Sequence, residues 1–367
     1  MRYGKMIKPG DAIGLPAPSF GASTEPYVTR VNAAIQRLRE MGYAVKPGPN
    51  TFAGEGVGIS NTPEKCAAEL QEMWESKETD ALLSVGGGEL MCEILNHMDF
   101  DRITRADAKW YMGYSDNTNF LFPLATICDT AGIYGPCASE FGLRSLHESQ
   151  TDALDLFLGK HAEIAEDGTS VFSVHSYETY EPNNLTGDHA PSEEDPLAPM
   201  NATEPRIHKL YLPDSDDLLM DARDWTGEIS FSGRLLGGCM DCLVNLMGTG
   251  FEDVAMFRSR YAKDGVIWFL EACDLNVFSI RRAMWEMDSA GWFHGCKGFL
   301  FGRHLNGAPM MNLDAYEAVL PYAKKYHVPV IMDTDIGHVS PMMPLIVGSL
   351  AHVRAFGNEL EIQMHLV

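Results

Sequence analysis

Basic residues are scarce. The 367-residue chain carries 28 Lys and Arg against 51 Asp and Glu, a formal net charge of -23. Such a surface repels the phosphates of nucleic acid and of anionic membranes, so neither is expected as a partner. No run of about 18 apolar residues occurs, so no spanning helix is expected. The start, "MRYGKMIKPGDAIGLPAPS", has no apolar stretch ahead of its first strand; no secretory leader is expected, and the cytoplasm is the expected location. The eight cysteines are scattered, and Cys92, Cys128 and Cys273 sit in apolar segments, which suits reduced thiols better than a disulfide framework. Internal repeats are not visible.

What is present is a core of about two domains' size, with 45% hydrophobic residues to fill it. "DAIGLPAPS" reads as a strand and its loop, and "PYVTRVNAAIQRLREMGYAV" as an amphipathic helix stopped near Gly42. "TPEKCAAELQEMWES" reads as a helix opened by Thr62, "ALLSVGGGE" as a buried strand running into glycines, "LMCEILNHM" as a short helix and "WYMGYS" as the next strand. This alternation predicts an α/β domain over 1–160 with a parallel sheet, whose sites form at the carboxyl ends of strands. Residues 161–205 are rich in Pro, Asp, Glu, Ser and Thr and read as an acidic loop or linker insert. A second, mixed α/β domain is expected over 206–367, with strands at "GRLLGGC", "GVIWFLEACD", "CKGFLFGRH" and "VPVIMDTDIGH", and a terminal hairpin turning at "GN".

Three polar residues stand at the ends of strongly apolar strands: Ser115, Glu271 and His338. Singly, each has a plain explanation as a helix cap, a solvated carboxylate or a loop histidine. Together they match the needs of one chemistry. A serine hydroxyl is a weak nucleophile and requires a base, usually His, which in turn requires a carboxylate to hold its tautomer. Oxyanion stabilisation would come from the Asp116 amide and from the loop of Gly86, Gly87 and Gly88. The serine lacks the second glycine of G-x-S-x-G, which disfavours an ordinary α/β-hydrolase.

The blocks "LLSVGGGE", "MGYSDNTNFLFPLAT", "GRLLGGCMDCLVNL", "VIWFLEACD" and "DTDIGHVSPMMPLIVG" resemble, in content and order, those of the LD-carboxypeptidase family of serine peptidases. That family includes murein LD-carboxypeptidases and microcin C self-immunity peptidases. The resemblance implies a Ser115–Glu271–His338 triad and an oxyanion hole from Gly87 or Gly88 with Asp116. It implies a flavodoxin-like N-terminal domain, a smaller C-terminal domain and an active site in the groove between them. No metal or organic cofactor is implied, and homodimers are common in the family. The glycine loop lacks the Arg often found in the murein enzymes. The "GRLLGG" block and the long insert look more like the immunity branch, which cleaves an amide joining an aminoacyl or peptidyl group to a nucleotide-like moiety. The expected substrate is therefore a small peptide or an aminoacyl-nucleotide, with release of D-Ala from murein tetrapeptides as the alternative.

Further candidates carry weaker signals. Glu89 suits the start of a helix or faces the substrate. Arg303 and His304 end a strand and lie either toward the cleft or at the surface. Trp225, beside the insert, either packs or stacks on a ligand. "CMDC" at Cys239–Cys242 lacks a partner pair for zinc, and Asp333 and Asp335 read better as strand-end carboxylates than as a metal cluster. "GGGE" has neither the G-x-G-x-x-G spacing nor a P-loop Lys. Two rival functions stand beside the serine hydrolase: a non-catalytic peptide- or nucleotide-binding protein, and a thiol hydrolase using Cys128 or Cys137.

Overall fold

Short apolar strands alternating with one-sided helices bury their apolar faces by layering helices onto a sheet. The computed structural model describes residues 1–182, 194–215 and 219–367, which fall into two units. The first contains Met1–His161, Pro344–Val347 and the described part of Pro191–Met200. Its elements are β1 (Ala12–Leu15), α1 (Tyr27–Glu40), β2 (Ala44–Pro47), α2 (Pro63–Glu75), β3 (Ala81–Leu83), α3 (Phe100–Arg105), β4 (Trp110–Gly113), α4 (Thr118–Thr126), β5 (Gly132–Tyr134) and α5 (Glu148–Phe157). Parallel pairing gives the strand order 2-1-3-4-5, and the Leu345–Val347 strand closes the β5 edge antiparallel.

This is the flavodoxin order, with its switch point between β1 and β3. The central strands β1, β3, β4 and β5 are buried along their whole length, which is why they read as continuous apolar runs. α1 buries Val31, Ala34, Ile35 and Leu38, and α2 buries Cys66, Ala67, Leu70 and Trp74. α4 is buried on every side. Met91–His97, expected as a short helix, winds as 3₁₀ turns instead.

The second unit holds the described residues of Ala162–Ala190, Asn201–Met343 and Gly348–Val367. Its chain runs β6 (Glu163–Ile164), β7 (Ser170–His175), β8 (Thr179–Tyr180), β9 (Glu204–Pro205), β10 (Lys209–Tyr211), β11 (Met220–Asp221), β12 (Glu228–Cys239), α6 (Met240–Leu246), α7 (Val254–Arg260), β13 (Val266–Glu271), α8 (Val277–Ser289), β14 (Cys296–Gly302), α9 (Ala315–Tyr326) and β15 (Val330–Thr334). After the Leu345–Val347 strand (β16) of the first unit come β17 (Leu350–Phe356) and β18 (Glu359–His365). Parallel strands β12 to β15 form the middle of a mixed sheet, flanked by antiparallel strands on both sides. The terminal hairpin β17–β18 turns at Gly357, as its sequence predicts.

Two expectations need correction. The C-terminal unit is not the smaller one: among the described residues its main sheet has ten strands against six in the first. Part of the 161–205 insert is sheet rather than loop, because β7 pairs with β18 and buries Val171, Phe172 and Val174. Residues 183–193 of that insert, and 216–218, lie outside the described residues.

Candidate active site

β4 ends at Gly113, and the chain turns through Ser115–Asn117 into α4. Ser115 takes φ 60°, a left-handed conformation that costs a non-glycine residue about 1–3 kcal/mol. A helix cap does not need that strain; a serine lifted out at a strand-to-helix turn does. Its amide donates to the Tyr134 hydroxyl at 3.3 Å. The next residue, Asp116, is buried. Its carboxylate accepts from Ser19 Oγ at 2.6 Å, from the Met91 amide at 2.9 Å and from Asn119 Nδ2 at 2.8 Å. Of the three donors on this buried carboxylate, Ser19 and Met91 pin the turn to the loops after β1 and β3, on either side of the switch point.

The glycine loop after β3 lies against the serine. A Cβ on Gly87 would come within 3.2 Å of Ser115 Oγ, so only glycine leaves that side of the hydroxyl open. The Gly86 carbonyl accepts from Asn117 Nδ2 at 3.0 Å, and the Gly87 carbonyl from the Phe20 amide at 2.8 Å. Across a trans peptide the following N–H points the opposite way. These two bonds therefore fix the directions of the Gly87 and Gly88 amides. Glu89 is exposed at the end of this loop, its amide donating to the Gly58 carbonyl at 3.1 Å.

Glu271 and His338 meet in the second unit. Glu271 ends β13 and is fully buried; His338 lies in the loop after β15 and is 3% exposed. His338 Nδ1 and Glu271 Oε2 are 2.8 Å apart. Gly337, at φ 90°, makes room for this pair, since a Cβ there would lie 2.4 Å from Glu271 Cγ. Burial alone would lower the imidazole pKa, but the Glu271 charge and the hydrogen bonds that the protonated ring donates to Cys273 and Glu271 outweigh it and hold the pKa well above the usual range. Cys239, half of "CMDC", ends β12 beside Glu271, and its sulfur lies within 4.8 Å of ligand atoms of both Glu271 and His338. Asp241 accepts from the amides of Cys273, Asp274 and Leu275 and so ties down the chain leaving Glu271.

The other candidates scatter. Arg303 is buried and forms an ion pair with Asp335 at 2.6 Å, its guanidinium 4.4 Å from the Tyr180 ring centre. Asp335 also accepts from the Tyr177 amide at 2.8 Å, which fastens the His338 loop to the insert. Arg303 is thus a buried clamp rather than a cation offered to substrate. Removing one member of a buried pair strands the other charge, so Arg303→Ala is expected to cost about 3–5 kcal/mol, read by chemical denaturation. Asp333 accepts from the Tyr316 hydroxyl at 2.7 Å, and His304 stacks on Phe301.

Trp225 precedes β12, whose other end carries Cys239. About 35 Å of strand at the usual rise lies between, and the structure does not bring Trp225 to Glu271 and His338. Its ring packs over Gly227. Cys128 and Cys137 are buried, and burial pushes the Cys128 thiol up to about 11 and Cys137 higher still, which disfavours either as a thiolate nucleophile. None of the eight cysteines is in a disulfide. Sequence reasoning missed Asn117, Ser19 and Asp241, short polar residues whose partners lie far along the chain.

The profile of the LD-carboxypeptidase N-terminal domain matches residues 13–135, and that of the LD-carboxypeptidase C-terminal domain matches residues 232–353. A Streptomyces coelicolor protein named as a carboxypeptidase is 21% identical over 358 residues, covering 95% of this chain and 92% of its own. An MccF-like protein from Bacillus anthracis superposes with a TM-score of 0.76 at 21% identity, covering 99% of both chains. The microcin C7 self-immunity protein MccF, solved with aspartyl sulfamoyl adenosine, gives 0.77 at 20% identity, over 99% of this chain and 98% of that one. A muramoyltetrapeptide carboxypeptidase from Oxalobacter formigenes gives 0.66 at 16% identity, over 96% and 98%. No helix among the described residues is long and apolar enough to cross a membrane. With both of the family's domains matched in order along the chain, this protein belongs to the LD-carboxypeptidase family and is a serine-type peptidase.

Proposed function

We propose that the chain is a serine amidohydrolase in which Ser115, His338 and Glu271 act together. Ser115 Oγ attacks the scissile carbonyl carbon while His338 Nε2 takes the hydroxyl proton. The oxyanion is held by the amides of Gly87 or Gly88 and of Asp116. His338 then gives its proton to the departing amine, and water resolves the acyl-enzyme by the same route. Glu271, on Nδ1, holds the tautomer and stabilises the imidazolium. The observation that carries this reading is the buried 2.8 Å Glu271–His338 pair. A binding protein has no need for a buried imidazole–carboxylate pair in one unit and a strained serine beside a fixed glycine loop in the other.

The substrate we propose is an amide joining an aminoacyl or peptidyl group to a nucleotide-like moiety. Support comes from the self-immunity proteins solved with aspartyl sulfamoyl adenosine and glutamyl sulfamoyl guanosine, whose TM-scores of 0.77 and 0.76 exceed the 0.66 of the muramoyltetrapeptide enzyme. A homodimer acting in the cytoplasm belongs to the same proposal. The test is mass-spectrometric hydrolysis of aspartyl sulfamoyl adenosine and of a murein tetrapeptide ending in D-Ala, by wild type and by Ser115→Ala. Ser115-dependent release of sulfamoyl adenosine is the expected result. Release of D-Ala instead moves the enzyme to cell-wall peptides, and inertness toward both favours the binding-protein rival.

A further inference from the structure

Asn117 stands two residues after Ser115 and is fully buried. Both ends of its carboxamide are used. The Tyr111 hydroxyl donates to Oδ1. Nδ2 donates to the carbonyls of Gly86 and Tyr114, each at 3.0 Å, with Cys137 Sγ a weaker acceptor at 3.7 Å. The orientation is forced, because turning the amide over would set Oδ1 against two carbonyl oxygens. Tyr111 is itself buried on β4, and burial holds its phenol protonated and therefore able to donate. Gly113 makes the space: a Cβ there would lie 2.7 Å from Asn117 Cγ.

We propose that Asn117 is the positioning residue that aims the oxyanion-binding amide of Gly87 and the peptide plane that enters Ser115. The Gly86 carbonyl and the Gly87 N–H belong to one trans peptide and point in opposite directions. Holding that carbonyl on Nδ2, with Ser84 Oγ donating to it at 3.1 Å as a second anchor, sets the line of the N–H on the glycine nearest the Ser115 hydroxyl. The second acceptor, the Tyr114 carbonyl, shares its peptide with the Ser115 N–H, which donates to the Tyr134 hydroxyl. One side chain thus couples the glycine loop to the serine turn. An oxyanion donor works only when it is already aimed at the position the oxygen will occupy.

This inference rests on the reading of Ser115 as nucleophile, and the experiment separates the two. A fluorophosphonate reacts with an activated serine by forming an Oγ–P bond and expelling fluoride, the serine proton passing to the base. Its phosphoryl oxygen sits where the oxyanion would. The labelling rate, the final labelled fraction and the labelled peptide are measured for wild type, Asn117→Asp and Tyr111→Phe. Both variants should reach the wild-type labelled fraction at Ser115, about 100-fold more slowly for Asn117→Asp and about tenfold for Tyr111→Phe, against the 10²–10³ known for removing a whole oxyanion donor. A purely structural role would lower the fraction and leave the rate of the folded remainder unchanged, which would overturn the inference, as would wild-type rates in both variants. If Asn117→Asp does not fold, Tyr111→Phe decides. Absence of label on Ser115 in the wild type instead sinks the nucleophile reading and this inference with it.

Discussion

Ser115→Ala is expected to retain less than about a thousandth of wild-type turnover, because the members of a nucleophile–base–carboxylate set act as a unit. The residue is only partly buried, and alanine fits the volume of the turn, so folding should survive. Alanine keeps the Cβ that meets Gly87 and removes only the hydroxyl. Thermal unfolding should stay within a few degrees of wild type while product formation collapses. The left-handed φ gives the control a sign. Ser115→Gly should lose as much activity but unfold no earlier, because glycine adopts φ 60° without steric cost. Near-normal hydrolysis by the alanine variant would remove Ser115 from the mechanism.

Glu271→Gln should lower turnover by roughly three to four orders of magnitude and also move its pH dependence. In the proposed mechanism the base is neutral imidazole. With Glu271 beside it, His338 holds its proton to a pH above the usual value of about 6.5, so kcat/KM should rise with pH through a midpoint above that figure. Glutamine fills the same space without the charge. Burial, which disfavours the imidazolium, then dominates, and the midpoint of the residual activity should fall to lower pH. The direction of the shift is diagnostic. A carboxylate that merely packs would leave the midpoint in place, and a midpoint moving upward would contradict the charge argument.

The sequence made these residues visible for a physical reason. Strands buried on both faces are apolar without interruption, so "WYMGYS", "VIWFLEA" and "DTDIGH" show their polar ends sharply. Parallel alternation was equally plain through the first 160 residues. What stayed hidden depends on partners distant in the chain. Asn117 looks like any turn residue until Tyr111 and Gly86 close around it. Arg303 at a strand end resembles a cation facing a cleft, and only Asp335 and Tyr180 turn it into a buried clamp. "SVFSVH" was masked by the acidic stretch around it, although its buried residues pair with the last strand of the chain. Trp225 gained its expectation from nearness in sequence to the insert, and the length of β12 takes it away from the Glu271–His338 pair.

The Leu345–Val347 strand has a consequence for how this protein can be made and cut. The first sheet takes its last strand from Leu345–Val347, more than 200 residues beyond its fifth. On the ribosome, five strands emerge early, and β5 waits with an unsatisfied row of backbone groups until Leu345–Val347 has been made. A fragment ending after His161 should therefore self-associate through that edge, and a short peptide spanning Pro344–Val347 is too small to rescue it in trans. Cutting the chain between β5 and Pro344 therefore leaves the first unit without its sixth strand.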